Sequence, residues 1–272
     1  MKKVTYLLAI ILGIALFGVS CEKDNDSNEA RLRIKSIEQR FGTEGNVQHY
    51  EYNTDGLLIS VYKNHNIYGG YRIEYNSDKQ PIKVHKITGV QGELPDETDT
   101  IIWTENGFTI AVLPTMTQWG IHSADSKTIY TLNSSNQLLT QTWLLLNPST
   151  SAFDTRVIST YSWINSDSAV FTVDDRQDEF NPEVYKEYFT LGKGLSPFKG
   201  INIAAIVAAN INYEWQEIQN TYCTENWVGN YHAAATYEFN DQNYPISAVV
   251  KCKVVEHSSY DYTDYIFEYE TY

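Results

Sequence analysis

Few residues in this 272-residue chain combine the type and the spacing that chemistry requires. The densest acidic patch of the globular part, DDRQDE at residues 174–179, offers carboxylates that could hold a cation or work as an acid and base pair. No apolar run surrounds it to shift a pKa, so it reads as a solvated loop. His49, His65, His85, His122, His232 and His257 are scattered singly, which suits strand and loop positions better than a ligand set. Glycine-flanked serine elbows, paired-histidine zinc motifs, phosphate loops and dinucleotide fingerprints are all missing. The sequence therefore assigns no catalytic residue, no metal and no cofactor, and it reads as a non-enzyme. Binding has more support. PTMTQWGIHSADS at 114–126 and TENWVGNYH at 224–232 place Trp119 with His122, and Trp227 with Tyr231, beside glycines in loop-like contexts. An exposed tryptophan among polar groups can stack on a sugar ring or a peptide; the alternative is that each ring tucks under its own loop.

Sulfur is equally sparse. Cys223 and Cys252 could pair in an oxidising compartment or stay as buried free thiols, and both alternatives stand. The third cysteine, Cys21, follows an uncharged run from Val4 to Ser20 that opens after Lys2 and Lys3. The dense apolar part of that run, LLAIILGIALFGV at 7–19, is too short to span a bilayer as a helix, which needs about 20 residues, and fits a cleaved secretory signal. Gly18-Val19-Ser20-Cys21 resembles the lipobox of bacterial lipoproteins, with Gly18 where leucine is usual. The resemblance implies a lipid on Cys21, and EKDND at 22–26 is similar to the acidic tag that directs Bacteroidetes lipoproteins to the outer face of the outer membrane. The organisation expected is a signal at 1–20, an acidic tether at 21–30 and one β-rich domain at 31–272.

Residues 1–20 hold two lysines and no acids, so their removal takes the formal charge from −14 to −16. That balance disfavours nucleic acid, which needs concentrated Lys and Arg, and disfavours adsorption to an anionic leaflet. Acyl chains on Cys21 would have to supply the hold on the membrane, and more than one is required for stable residence.

The elements that must position any binding residues are strands. Alternating runs such as LLISVY, YRIEY, PIKVHKI, TIYTL and YIFEYETY recur, and tyrosine is the commonest aromatic at 21 residues. Between several of them one pattern returns without a gap: YNTDGLLI at 52–59, YNSDKQPI at 75–82, LNSSNQLL at 132–139 and FNDQNYPI at 239–246. It reads as a hairpin turn in which Asn caps a type I turn and Gly56, Asn136 or Asn243 takes the left-handed position of the bulge. Lys79 is the weak member of that set. The unequal spacing of Asn53, Asn76, Asn133 and Asn240 points to a meander of antiparallel hairpins with varied far loops, not a solenoid. One stretch departs from β patterning. Ile201, Ala204, Ala208, Ile211, Trp215, Ile218 and Tyr222 share a helical face, which predicts one helix near 201–222.

These features together are similar to a group of Bacteroidetes lipoproteins known only as domains of unknown function with a porin-like fold. The lipobox and tag, the Tyr-x-Tyr-Asn hairpins with Pro-Ile behind the turn, and LSPFKG at 195–200 carry the resemblance, Ser196 standing where that group has Asn. It implies a mainly β fold, a strongly curved antiparallel meander forming a partial or open barrel, and it brings no activity with it. The partners expected are the membrane, through Cys21, and a glycan or peptide; a lipid or other apolar ligand cupped by the curved sheet is the second reading.

Overall fold

The computed structural model describes residues 31–41, 44–63, 70–87, 97–112, 126–134, 137–165, 168–176, 183–192, 194–209, 217–218, 221–228, 231–254 and 261–272. Leu32–Glu270 forms one compact unit, which holds the sheet; in a second unit Arg31 and Tyr272 are joined by a hydrogen bond, Tyr272 N donating to the Arg31 carbonyl at 3.1 Å.

In chain order the strands are β1 (Leu32–Phe41), β2 (Glu44–Tyr52), β3 (Leu58–Lys63), β4 (Gly70–Tyr75), β5 (Pro81–Ile87), β6 (Glu97–Thr104), β7 (Gly107–Val112), β8 (Ser126–Leu132) and β9 (Leu138–Asn147). They continue as β10 (Ala152–Asn165), β11 (Ser168–Asp175), β12 (Glu183–Leu191), the two-residue β13 (Glu217–Ile218), β14 (Thr221–Val228), β15 (Tyr231–Phe239), β16 (Pro245–Val254) and β17 (Asp261–Thr271). Each pairs antiparallel with the next, except that β12 passes over the short β13 to pair with β14. β17 pairs with β1 as well, so the series of pairings comes back to its start. Across that seam Arg33 meets Glu270 at 2.6 Å and the Gln39 amide donates to the Tyr265 hydroxyl at 2.8 Å. The expected mainly β, strongly curved antiparallel meander is what the chain forms.

The repeated turns form as their residues require. The Oδ1 atoms of Asn53, Asn76 and Asn240 each accept two backbone N–H groups of their own turn, at 2.9–3.1 Å. Gly56, Lys79 and Asn243 take φ of 78°, 61° and 65°, so Lys79 adopts the left-handed conformation despite its side chain. A register shift immediately precedes each of the four turns, between Glu51/Tyr52, Glu74/Tyr75, Thr131/Leu132 and Glu238/Phe239. A second device ties one turn to the next strand. The Tyr75 hydroxyl donates to the Leu58 carbonyl at 2.7 Å, Trp103 Nε1 to the Pro81 carbonyl at 2.8 Å and the Tyr269 hydroxyl to the Pro245 carbonyl at 2.8 Å. Those acceptors occupy the same place in three copies of the repeat, five residues after the Asn.

The helix is shorter than its periodicity predicts. α1 spans Ile203–Ala208, capped by Asn202, whose Oδ1 accepts the Ala204 N–H at 2.9 Å. Tyr222 and Cys223, read as the helix end, lie in β14, where β-branched and aromatic residues suit a strand. The segment before α1 is fixed by Ser196, whose buried hydroxyl accepts the Phe198 N–H at 3.0 Å, and by the Leu195 N–H on the Asn243 carbonyl at 2.9 Å. A serine-centred turn thus does here what an Asx turn would do. Phe198, Ala204, Ala205, Ile206, Ala208 and Ala209 join one core cluster with Ile34, Ile37, Tyr50, Leu58, Val61, Val84, Phe108 and Val250, so the sheet curves around this segment.

Candidate functional site

Residues directly opposite each other on paired strands share a face, so the core-bearing face can be followed from strand to strand. One row runs Phe108, Tyr130, Gln141, Ser159, Val173, Tyr185; a neighbouring row runs Ile110, Thr128, Trp143, Val157, Asp175. Closer to the turn edge, Tyr161 stands opposite Phe171, which stands opposite Glu187. On β6 the same face carries Asp99, opposite Val84.

Cover over this face changes along the sheet. The core cluster that contains the α1 segment draws on β1 to β9 and on β15 to β17, and Tyr161 of β10 packs against it. On β11 and β12 the buried residues Ala169 and Phe189 form a separate small cluster with Tyr161, Trp163 and Phe171 half-buried around it. Trp143 and Glu187 are half-buried, and Tyr185 is 42 % exposed. Aromatic rings follow one another across the face: Trp103 and Phe108 at 5.3 Å and Phe108 and Tyr130 stacked at 4.8 Å in the core on β6 to β8, and Tyr161 and Phe171 at 4.6 Å on β10 and β11. Such faces bind apolar ring surfaces while phenol and carboxyl groups at their edges select for hydroxyl or amide partners.

Burial sets the state of the phenols on this face, and three carboxylates add to its effect. Burial pushes the Tyr161 phenol up to about 12, and Glu187 adds to the shift. Burial raises Tyr130 further, with Tyr161 and Asp99 adding to it and a hydrogen bond with Thr128 opposing it. Tyr185 is raised by burial and then by Glu187 and Asp175. Burial thus holds these phenols in the neutral form to higher pH than a free tyrosine. At the edge of the wall Asp154 Oδ2 accepts from the Asn147 amide at 2.9 Å and lies 3.8 Å from the Arg156 guanidinium, at a register shift between Thr155 and Val157.

Of the residues singled out from sequence, Tyr231 stands opposite Val228, which stands opposite Glu187, so its position falls on the row of that wall residue. Trp119 and His122 lie outside the described residues, as does Cys21. Trp227 belongs to β14, opposite His232, and Tyr231 opens β15 opposite Val228, so both are in strands where the sequence suggested loops. Of the two alternatives for sulfur, the pairing of Cys223 with Cys252 is not made. Cys252 is a half-buried free thiol that packs on the core from β16, Cys223 is on β14, and β15 lies between them. Two strand spacings make roughly 9.5 Å, beyond the reach of a disulfide. Asp174 and Asp175, read as part of a solvated loop, close β11 instead; Asp174 pairs with Arg176, whose hydrogen bond holds its carboxyl below the usual range. His85 bridges Glu74 at 2.7 Å and Thr98 at 2.9 Å, a structural contact. Among the described residues no group of three or more His, Cys, Asp or Glu is arranged to hold a metal ion.

Sequence reasoning missed Trp143, Tyr161, Asp175, Tyr185 and Glu187 as a set. They come from β9 to β12, and only the register brings them to one face. The alternation within each strand was the available signal, and it needed to be read across four strands at once.

No protein-family model matches the sequence, and no curated protein matches it. Among solved structures the chain is similar to a porin-like protein from Bacteroides uniformis, at 13% identity over 87% of this chain and 96% of that one, with a TM-score of 0.41. It is similar also to a porin-like protein from Bacteroides vulgatus, at 13% identity over 88% of this chain and 99% of that one, with a TM-score of 0.48.

Proposed function

We propose that this chain is a binding protein held on the outer membrane by lipid at Cys21, and that its ligand is a glycan taken on the β9–β12 part of the core face. The observation that carries the reading is that half-buried aromatic rings and carboxylates share this part of the face, where Ala169 and Phe189 of β11 and β12 form a small cluster of their own beside the main core. Sugar rings present an apolar face for Trp143 and Tyr161 and hydroxyls that the carboxylates of Asp175 and Glu187 can accept from. A peptide ligand would use the same groups. The second reading, a carrier of lipid, has less support, because the apolar part of the face is filled by Phe198, Ala204, Ile206 and their neighbours. No catalysis is assigned to the wall.

The outer face supports attachment through acyl chains. Lys35, Arg72, Glu74, Lys83, Lys186, Lys251 and Glu268 are exposed along β1, β4, β5, β12, β16 and β17. Each Lys or Arg facing lipid at mid-bilayer would cost about 2–4 kcal/mol, so strands with this surface suit water.

A thermal-shift screen of residues 22–272 against neutral oligosaccharides, cell-wall peptides and phospholipid tests the reading. Ligand at 100 times its Kd stabilises by about 2.7 kcal/mol, a plain rise in melting temperature. A rise with an oligosaccharide is expected; a rise only with phospholipid, or with nothing, overturns it.

A further inference from the structure

Side chains alternate between the two faces of a strand, so the register that places the wall also places the opposite, outer face of the sheet. One outer row runs Ile102, Thr109, Ile129, Thr142, Ile158 across β6 to β10. The rows on either side run Gly107, Thr131, Thr140, Thr160 and Ala111, Lys127, Leu144, Thr155. These three rows hold no carboxylate and one charge, Lys127, whose ammonium lies 4.1 Å from the centre of the Phe153 ring. Ile102 is 53 % exposed and Phe153 39 %, while Ile129, Leu144 and Ile158 are half-buried. The outer face differs elsewhere: Glu51, Glu74, Glu238, Asp264 and Glu268 are exposed on it, in a chain of net charge −14.

We infer that this neutral face of threonine and isoleucine on β6 to β10 is the contact of a symmetric dimer, its occupant a second copy of the same chain. Charge selects the partner. Two copies repel each other through their acidic strands, so they approach most closely where neither carries a carboxylate. A basic partner would be drawn to the acidic strands instead. Threonine adds a second reason, because a hydroxyl both donates and accepts, and a face rich in hydroxyls therefore complements itself. Thr131 and Thr140 already share a hydrogen bond between their Oγ1 atoms at 2.6 Å within the sheet. Self-complementarity is what an isologous interface requires. Bilayer hydrocarbon offers these hydroxyls no partner. Two outward-curving faces touch first at their middle strands, which puts Ile129 of β8 and Thr142 and Leu144 of β9 at the centre of the contact. Five strands across, and the four same-face residues from Thr140 to Leu146 along β9, cover at most about 24 Å by 24 Å, or about 600 Å² per copy. Two such faces reach only the lower limit of about 1,200 Å² for a specific interface, so the dimer dissociates on dilution. It needs neither lipid at Cys21 nor ligand on the wall.

The test uses the full chain in a non-ionic detergent, with size-exclusion chromatography and light scattering giving the mass of protein apart from bound detergent. A two-chain mass at about 100 µM that falls to one chain near about 1 µM is expected. Added salt should favour the two-chain form, because it screens the repulsion between acidic copies and leaves the neutral contact in place. Ile158→Glu and Thr142→Glu each set a carboxylate on the face and should weaken dimerisation by about tenfold or more. Thr236→Glu, at an exposed outer position of β15, should leave it within about twofold. Two substituted positions, each with circular dichroism matching the parent chain, separate a lost contact from a lost fold. A one-chain mass at every concentration overturns the inference, as does a two-chain mass that Ile158→Glu and Thr142→Glu leave unchanged or that salt dissolves. Neither result bears on the glycan reading, which has its own screen.

Discussion

Lys79→Gly is expected to stabilise the protein. Lys79 stands at φ 61° in a turn whose other copies place Gly56 at 78° and Asn243 at 65°. A side chain in that region costs about 1–2 kcal/mol, from the crowding of Cβ against the following carbonyl. Glycine removes that cost and adds about 0.4–1 kcal/mol of lost chain entropy on folding. The balance is a gain of about 0.5–1 kcal/mol. Lys79 is exposed, so little packing is lost with its side chain. For a domain of this size the gain corresponds to roughly 1–4 °C in Tm. Urea unfolding of residues 22–272 should show a higher midpoint with an unchanged slope. Gly56→Lys, the reciprocal change, should lose a similar amount. A lower midpoint for Lys79→Gly, or no loss in Gly56→Lys, would refute the idea that these turns share one left-handed position.

Gly107→Ala is expected to destabilise by about 2–3 kcal/mol, because a Cβ there would overlap the Tyr130 carbonyl oxygen and force β7 from β8; thermal unfolding checks it. Tyr75→Phe should cost about 1 kcal/mol in urea unfolding by removing the hydroxyl donor to the Leu58 carbonyl. Tyr161, raised to about 12 in the fold against about 10 unfolded, contributes stability that is complete below pH 10 and is lost as pH rises toward 12. The shift of two units is worth on the order of 3 kcal/mol. Phenolate absorbance near pH 11 should show Tyr161 and Tyr130 still protonated in native protein and ionised in urea; full ionisation of the native chain at that pH would count against their burial.

The turns were legible in the sequence because their determinants are local. Asn53, Asn76 and Asn240 bond only their own turns, and a window of eight residues contains the whole device. Helix α1 was legible at its start, where Asn202 caps an alanine-rich run, and overextended at its end. The helical spacing of Ile218 and Tyr222 is a coincidence that strand pairing overrides. The wall was not legible. Trp143 and Asp175 are 32 positions apart and meet only through the register of β9, β10 and β11, including the shift at Thr155/Val157. The tryptophans chosen instead, Trp119 and Trp227, were picked for neighbouring glycines, a local criterion that carries no information about which face a strand presents. Asp174–Asp175 misled for a related reason: consecutive charges look like loop, yet in a strand at a sheet edge they point to opposite faces.

The most direct measurement is the affinity of residues 22–272 for the oligosaccharide that stabilises it best, compared by calorimetry across substitutions on the two faces of the sheet. Trp143→Ala and Glu187→Gln, on the core face, should each weaken binding at least tenfold, about 1.4 kcal/mol. Phe153→Ala and Tyr188→Ala remove exposed rings away from the wall and should leave affinity within twofold. Loss of binding from Phe153→Ala or Tyr188→Ala with Trp143→Ala and Glu187→Gln unaffected would contradict the wall as the binding site.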